Sequence, residues 1–197
     1  AKFGILEAKE GGVLPVTVRN VEPQLKGENL SVAGQALRVD ASDGEVAKWM
    51  RTVEDSDDWD YDDVKRGKET VRVNQTGARA ILSGKGGAAF QINLAGGGKE
   101  FEVVGVPLTK PGFYVVEVAS PRLGEALLGR KAPRYVASAA LVTNMAVHFK
   151  CGREGSLVWV TALDTGQGVG AADVRITDSC TGQLIARGAT DASGRVA

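Results

Sequence analysis

Val13-Leu14-Pro15-Val16-Thr17-Val18-Arg19-Asn20-Val21 puts Leu14, Val16 and Val18 on one side of an extended chain and Pro15, Thr17 and Arg19 on the other. Successive side chains of a β-strand point to opposite faces, so this spacing of two predicts a half-buried strand. Pro15 has no N–H to give a neighbour, which predicts a sheet edge. Similar short segments recur at 30–39, 70–73, 89–94, 100–108, 113–119, 135–142, 145–149, 157–163, 174–177 and 184–188. Short strands separated by turn residues, without alternating long helices, predict an all-β chain of antiparallel β-sandwich modules. Leu157, Trp159 and Leu163 against Val158, Val160 and Ala162 are apolar on both faces, as a central strand requires.

One stretch departs from this rhythm. Val46, Trp49, Met50 and Val53 recur at helical spacing behind Ser42 and Glu45, which form a capping box. A short inserted α-helix is therefore expected over 43–53, with Trp49 in the core. The glycines of 84–87 and 96–98 precede strands and not a strand-to-helix junction, so they predict turns and no phosphate cradle. A module boundary is expected at Thr143-Asn144. It divides the chain into one sandwich with the helical insertion (1–143) and a second, C-terminally truncated one (144–197), whose first strand alternates Met145, Val147 and Phe149 with Ala146, His148 and Lys150. The last residues, Thr190-Asp191-Ala192-Ser193-Gly194-Arg195-Val196-Ala197, read as a turn followed by the start of a strand that does not arrive.

With 197 residues and 43% apolar content the chain can bury one large core or two modest ones. Lys plus Arg and Asp plus Glu are balanced at 24 each, so no field of one sign draws in nucleic acid or an anionic membrane. No apolar run reaches the roughly 20 residues of a bilayer span. Ala1-Lys2-Phe3-Gly4 shows neither an initiator Met nor a signal peptide. A soluble piece of something longer, without direct membrane contact, is expected.

The chemical candidates are few. His148 is the only histidine, which leaves neither a Ser/His/Asp triad nor a multi-histidine metal site, and alternation puts it on the polar face beside Lys150. In the acidic stretch 54–63, Asp58, Asp60, Asp62 and Glu69 match positions one, three, five and twelve of an EF-hand loop. Position six is Asp63 where the turn needs glycine, position eight is Lys65, and a strand follows. A solvated loop anchored by Trp59 and Tyr61 is the expectation there. No catalytic, cofactor-binding or metal-ligating residue is assigned, no cofactor is expected, and the chain is not expected to be an enzyme. Cys151 and Cys180, both at strand ends, could form one bridge, but separate thiols are expected because Cys180 fills a turn position that needs no partner.

Several phrases carry a resemblance to a known family. They are Phe101-Glu102-Val103-Val104-Gly105-Val106-Pro107-Leu108, Lys110-Pro111-Gly112-Phe113-Tyr114-Val115-Val116-Glu117-Val118, Leu141-Val142-Thr143-Asn144-Met145-Ala146-Val147-His148-Phe149-Lys150 and Ser156-Leu157-Val158-Trp159-Val160-Thr161. In phrase and order they resemble bacterial alpha-2-macroglobulins, as does the insertion 43–63. Gly152-Arg153-Glu154 and Thr190-Asp191-Ala192-Ser193-Gly194 fit the same pattern, whereas Cys151 stands where a tryptophan or another large residue is expected.

The resemblance implies macroglobulin-like scaffold domains of a periplasmic, lipid-anchored, broad-spectrum protease-trapping inhibitor. Its implied partners are proteases, neighbouring macroglobulin-like domains of the same chain and a peptidoglycan-synthesising penicillin-binding protein. The family's thioester needs Cys-Xaa-Glu-Gln. Cys180-Thr181-Gly182-Gln183 has Gly182 at the third place and Cys151-Gly152-Arg153-Glu154 lacks the glutamine, so neither carries it. The competing class is a surface adhesin or carbohydrate-binding module, for which Trp59 and Tyr61 are the exposed aromatic candidates.

Overall fold

The computed structural model describes residues 2–19, 31–94 and 101–197. The expected turn at 96–98 lies outside them, as do Asn20, Val21, Leu30 and Glu100 at the ends of three expected strands. Leu14 is buried while Pro15, Thr17 and Arg19 are exposed, so the alternation that opens the sequence survives in β2 (Val13–Arg19). β2 pairs with β7 (Phe101–Pro107) in a two-stranded antiparallel sheet, the edge position that Pro15 requires.

The larger sheet has five strands. Its order is β1 (Phe3–Glu7), β9 (Arg134–Thr143), β8 (Gly112–Ser120), β3 (Ser31–Val39) and β6 (Ala88–Asn93). All neighbours are antiparallel except β1 and β9, which run parallel from Phe3↔Ala139 to Glu7↔Thr143. The pleat of β8 divides the core in two. Tyr114 and Val116 join Leu14, Val106, Leu108, Ala140 and Val142 between this sheet and the β2–β7 pair. Val115, one residue out of phase, faces the opposite way and packs with Val53, Leu82, Ala137 and Ala139.

That second cluster is covered by α1 (Asp43–Asp55), close to the helix expected from the sequence. Ser42 is its N-cap and accepts the Glu45 backbone N–H at 3.4 Å. The helix covers a face of the sheet and not an open end. Val53 is fully buried and Trp49 packs beside it, but Met50, included in the expected apolar stripe, points to solvent at 42% exposure. The buried stripe is therefore narrower than the sequence suggests.

Some elements, three of them longer than a single turn, were not expected from the sequence. β1 is one; a hairpin strand β4 (Tyr61–Arg66), paired with β5 (Glu69–Asn74), is another. The third is α2 (Pro121–Leu128), opened by a proline whose missing N–H would have no partner in the first turn.

At Asn144 the chain leaves β9 and enters a different sheet, β10 (Met145–Cys151), β11 (Ser156–Ala162) and β14 (Arg195–Val196), with β11 in the centre. After the closing turn two residues enter strand pairing: Arg195 and Val196 pair with Trp159 and Val158. β12 (Asp173–Thr177) and β13 (Leu184–Ala189) form an antiparallel hairpin opposite. Among the described residues no helix is long and apolar enough to cross a membrane.

Candidate functional site

The helix α1 does more than cover the sheet. Its first-turn residue Asp43 reaches the C-terminal hairpin, where its two carboxylate oxygens accept the guanidinium of Arg175 at 3.0 Å each and the hydroxyl of Thr177 at 3.3 Å. One face further along, Arg51 donates to the Ser179 carbonyl. Between these contacts the backbones of Gly44 and Gly182 touch: a Cβ on Gly44 would lie 3.1 Å from the Gly182 Cα. Near the chain start, the Lys9 amide donates to Asn144 Oδ1 at 3.0 Å and its ammonium pairs with Asp164. That ion pair lowers the acidity of Lys9 and holds the Asp164 carboxyl below its usual range. Sequence reading missed this set, because Asp43 carried only a helix-start signal and nothing in the spacing links it to Arg175.

The turn facing α1 contains Cys180. Asp178 Oδ1 accepts the amides of Cys180 and Thr181 at 2.9 and 2.7 Å and the Thr181 hydroxyl at 2.9 Å. These donors hold its carboxyl below the ordinary range. Cys180 thus occupies a side-chain-closed turn, as expected, next to Gly182 at φ +75°. Cys151 ends β10, and both thiols are free and exposed. His148 is exposed on β10, its ring 5.4 Å from that of the cross-strand Trp159. The Trp159 indole N–H donates to the Ser193 carbonyl at 3.1 Å.

The acidic stretch behaves differently from the expected anchored loop. Asp62 and Asp63 lie in β4, where consecutive side chains diverge, and Glu69 starts the opposing strand. Among the described residues no three His, Cys, Asp or Glu side chains converge as metal ligands would. Trp59 is 81% exposed, so it anchors nothing to the core; it stacks on Tyr61 at 6.2 Å, and Arg72 lies 4.6 Å over the Tyr61 ring.

Among the described residues, Glu117 is a strongly buried acid whose titration is displaced. At 4% exposure its carboxylate accepts the Ile81 amide at 2.6 Å and ties the 75–82 segment to β8. Burial raises its pKa above the ordinary 4.5, against the backbone N–H bonds from Ile81 and Leu82 that favour the charged form. A raised folded pKa means stability that is full below about pH 4.5 and is lost as pH rises through the folded value. Asp164, Asp173, Asp178 and Asp191 act in the other direction, their contribution disappearing as pH falls below 3.8. Glu117→Gln is expected to flatten the decline in thermal midpoint above pH 4.5 and leave the acid limb unchanged. Melting curves from pH 3 to 8 check this; parallel curves for both proteins would refute it.

The C-terminal sheets leave apolar surface uncovered. Val147 and Ile185 are about two-thirds exposed, at 64% and 66%, and Phe149 stands beside Val147 on the same face of β10. Between the two sheets runs an apolar trough of about 170 Å³ lined by Val158, Val174, Ile176, Ala186 and Val196.

Residues 142–197 match the sequence profile of the bacterial alpha-2-macroglobulin MG3 domain. Over that segment the chain is similar to a bacterial alpha-2-macroglobulin domain. Two crystal structures of native alpha-2-macroglobulin from Escherichia coli share its fold. The one spanning domains NIE-MG1 has a TM-score of 0.60 at 16% identity, covering 100% of this chain and 82% of that one. The one spanning MG0-NIE-MG1 has a TM-score of 0.56 at 15% identity, covering 100% of this chain and 54% of the other, so this chain spans about half of its length. At such identities the likeness concerns the fold of the macroglobulin modules alone. No curated protein matches the chain.

Proposed function

We propose that this chain supplies non-catalytic scaffold domains of a bacterial alpha-2-macroglobulin-like, broad-spectrum protease-trapping inhibitor that works in the periplasm on a lipid anchor. The observation that carries the reading is the MG3 match over 142–197, joined at Thr143-Asn144 to a sandwich with a helical insertion. The uncovered strands around Val147, Phe149 and Ile185 support it, because modules of a larger chain present apolar faces to their neighbours. In this reading the proteases, the adjoining macroglobulin-like domains and a penicillin-binding protein are partners of the full-length protein.

The chain by itself is expected neither to cleave proteases nor to inhibit them stoichiometrically. Incubation with trypsin followed by denaturing electrophoresis tests this. A covalent adduct would overturn the reading, since Cys180 would then be acting as a thioester despite Gly182. The flat stack of Trp59 and Tyr61, with planes 12° apart, is the feature that favours the carbohydrate-binding alternative. A glycan array separates the two readings.

A further inference from the structure

We propose that α1 is a conformational latch that fixes the C-terminal β12–β13 hairpin against the N-terminal sandwich. The covalent joint alone does not set that angle, because a single residue, Asn144, separates β9 from β10 and the two strands belong to different sheets. The angle is set by contacts on either side of the joint. At one site Lys9 holds both Asn144 and Asp164. At the other, α1 presents a charge fork and a flat seat: Asp43 grips Arg175 and Thr177, Arg51 grips the Ser179 carbonyl, and Gly44 lies flush on Gly182.

The chemistry of the seat is specific. Glycine is a poor helix residue, yet it stands second in α1, where a Cβ would come within 3.1 Å of the Gly182 Cα, tighter than ordinary van der Waals contact. The helix gives up intrinsic stability there and gains close approach. The grip is electrostatic and exposed: Asp43 and Arg175 side chains are 41% and 49% accessible, so salt screens the pair. A one-residue joint keeps the two halves at high effective concentration, which lets individually weak contacts hold the closed arrangement while leaving it releasable. The insertion is thereby an orientation lock between modules, open to control by ionic strength or by a competing cationic or anionic surface.

Residual dipolar couplings test this on the whole chain. In low salt, backbone couplings from 2–19, 31–94 and 101–142 and those from 145–197 are expected to fit one alignment tensor. Gly44→Leu, which favours the helix but wedges the seat, is expected to split the fit into two tensors while the amide shifts of both sheets stay dispersed. Arg175→Gln, outside the helix, gives the same reading should Gly44→Leu disturb α1. Two tensors in the unaltered chain, or a single tensor retained in both variants, would overturn the latch.

Discussion

Gly194→Val is expected to cost about 4 kcal/mol and to unfold the C-terminal sheets at ordinary temperature. Gly194 sits at φ +82°, where a β-branched residue is strained, and closes the turn between β13 and β14. A Cβ there would lie 2.3 Å from the Val160 carbonyl oxygen and 2.8 Å from the Gly168 Cα, both backbone atoms that cannot swing aside. The same turn is organised by Asp191, whose Oδ1 accepts the amides of Ser193 and Arg195 at 2.8 and 2.9 Å and the Ser193 hydroxyl at 2.7 Å. Losing it also frees the Ser193 carbonyl that holds the Trp159 indole. The Trp159 indole N–H resonance, followed through a thermal ramp, is the readout. A midpoint within about 5 °C of the unaltered protein would contradict the assignment.

Leu82→Ala should destabilise the N-terminal sandwich by about 3 kcal/mol. Leu82 is fully buried beneath α1 with Val53, Val115 and Ala139, where relaxation is limited on one side by the sheet and on the other by the helix. Because Glu117 fixes the adjacent Ile81 amide, the segment cannot collapse inward to fill the void. Urea denaturation monitored by tryptophan fluorescence, to which Trp49 beside this cluster contributes, should show an earlier transition. An unchanged midpoint would mean that the helix-side cluster contributes little to holding the sandwich together.

These sites differ in how far the sequence announces them. β2, with its clean alternation, was legible because burial on one face imposes a period of two, and β8, buried on both faces, because it reads as a near-continuous apolar run. The helix was legible from Ser42, Glu45 and the spacing of Val46, Trp49 and Val53. β4 was not, since Tyr61-Asp62-Asp63-Val64-Lys65-Arg66 is exposed throughout and therefore carries no apolar period to read. β1 is short and mixed, and its partner β9 (Arg134–Thr143), though adjacent in the sheet, is remote in sequence. The contacts of Asp43 with Arg175 and of Gly44 with Gly182 join residues more than a hundred positions apart, which no local pattern encodes.

The parallel pairing of β1 with β9 also governs the order in which the molecule can be made. Phe3 meets Ala139, a separation of 139 − 3 = 136 residues. During synthesis at about 5–20 residues per second, the first strand is complete roughly 7–27 s before its partner emerges. Through that interval Phe3, Ile5 and Leu6 have no sheet to join, and the edge of β9 that they occupy does not exist. Refolding from denaturant removes the vectorial delay but not the cost of closing so long a loop, so the edge strand is set to be the slow step of the five-stranded sheet.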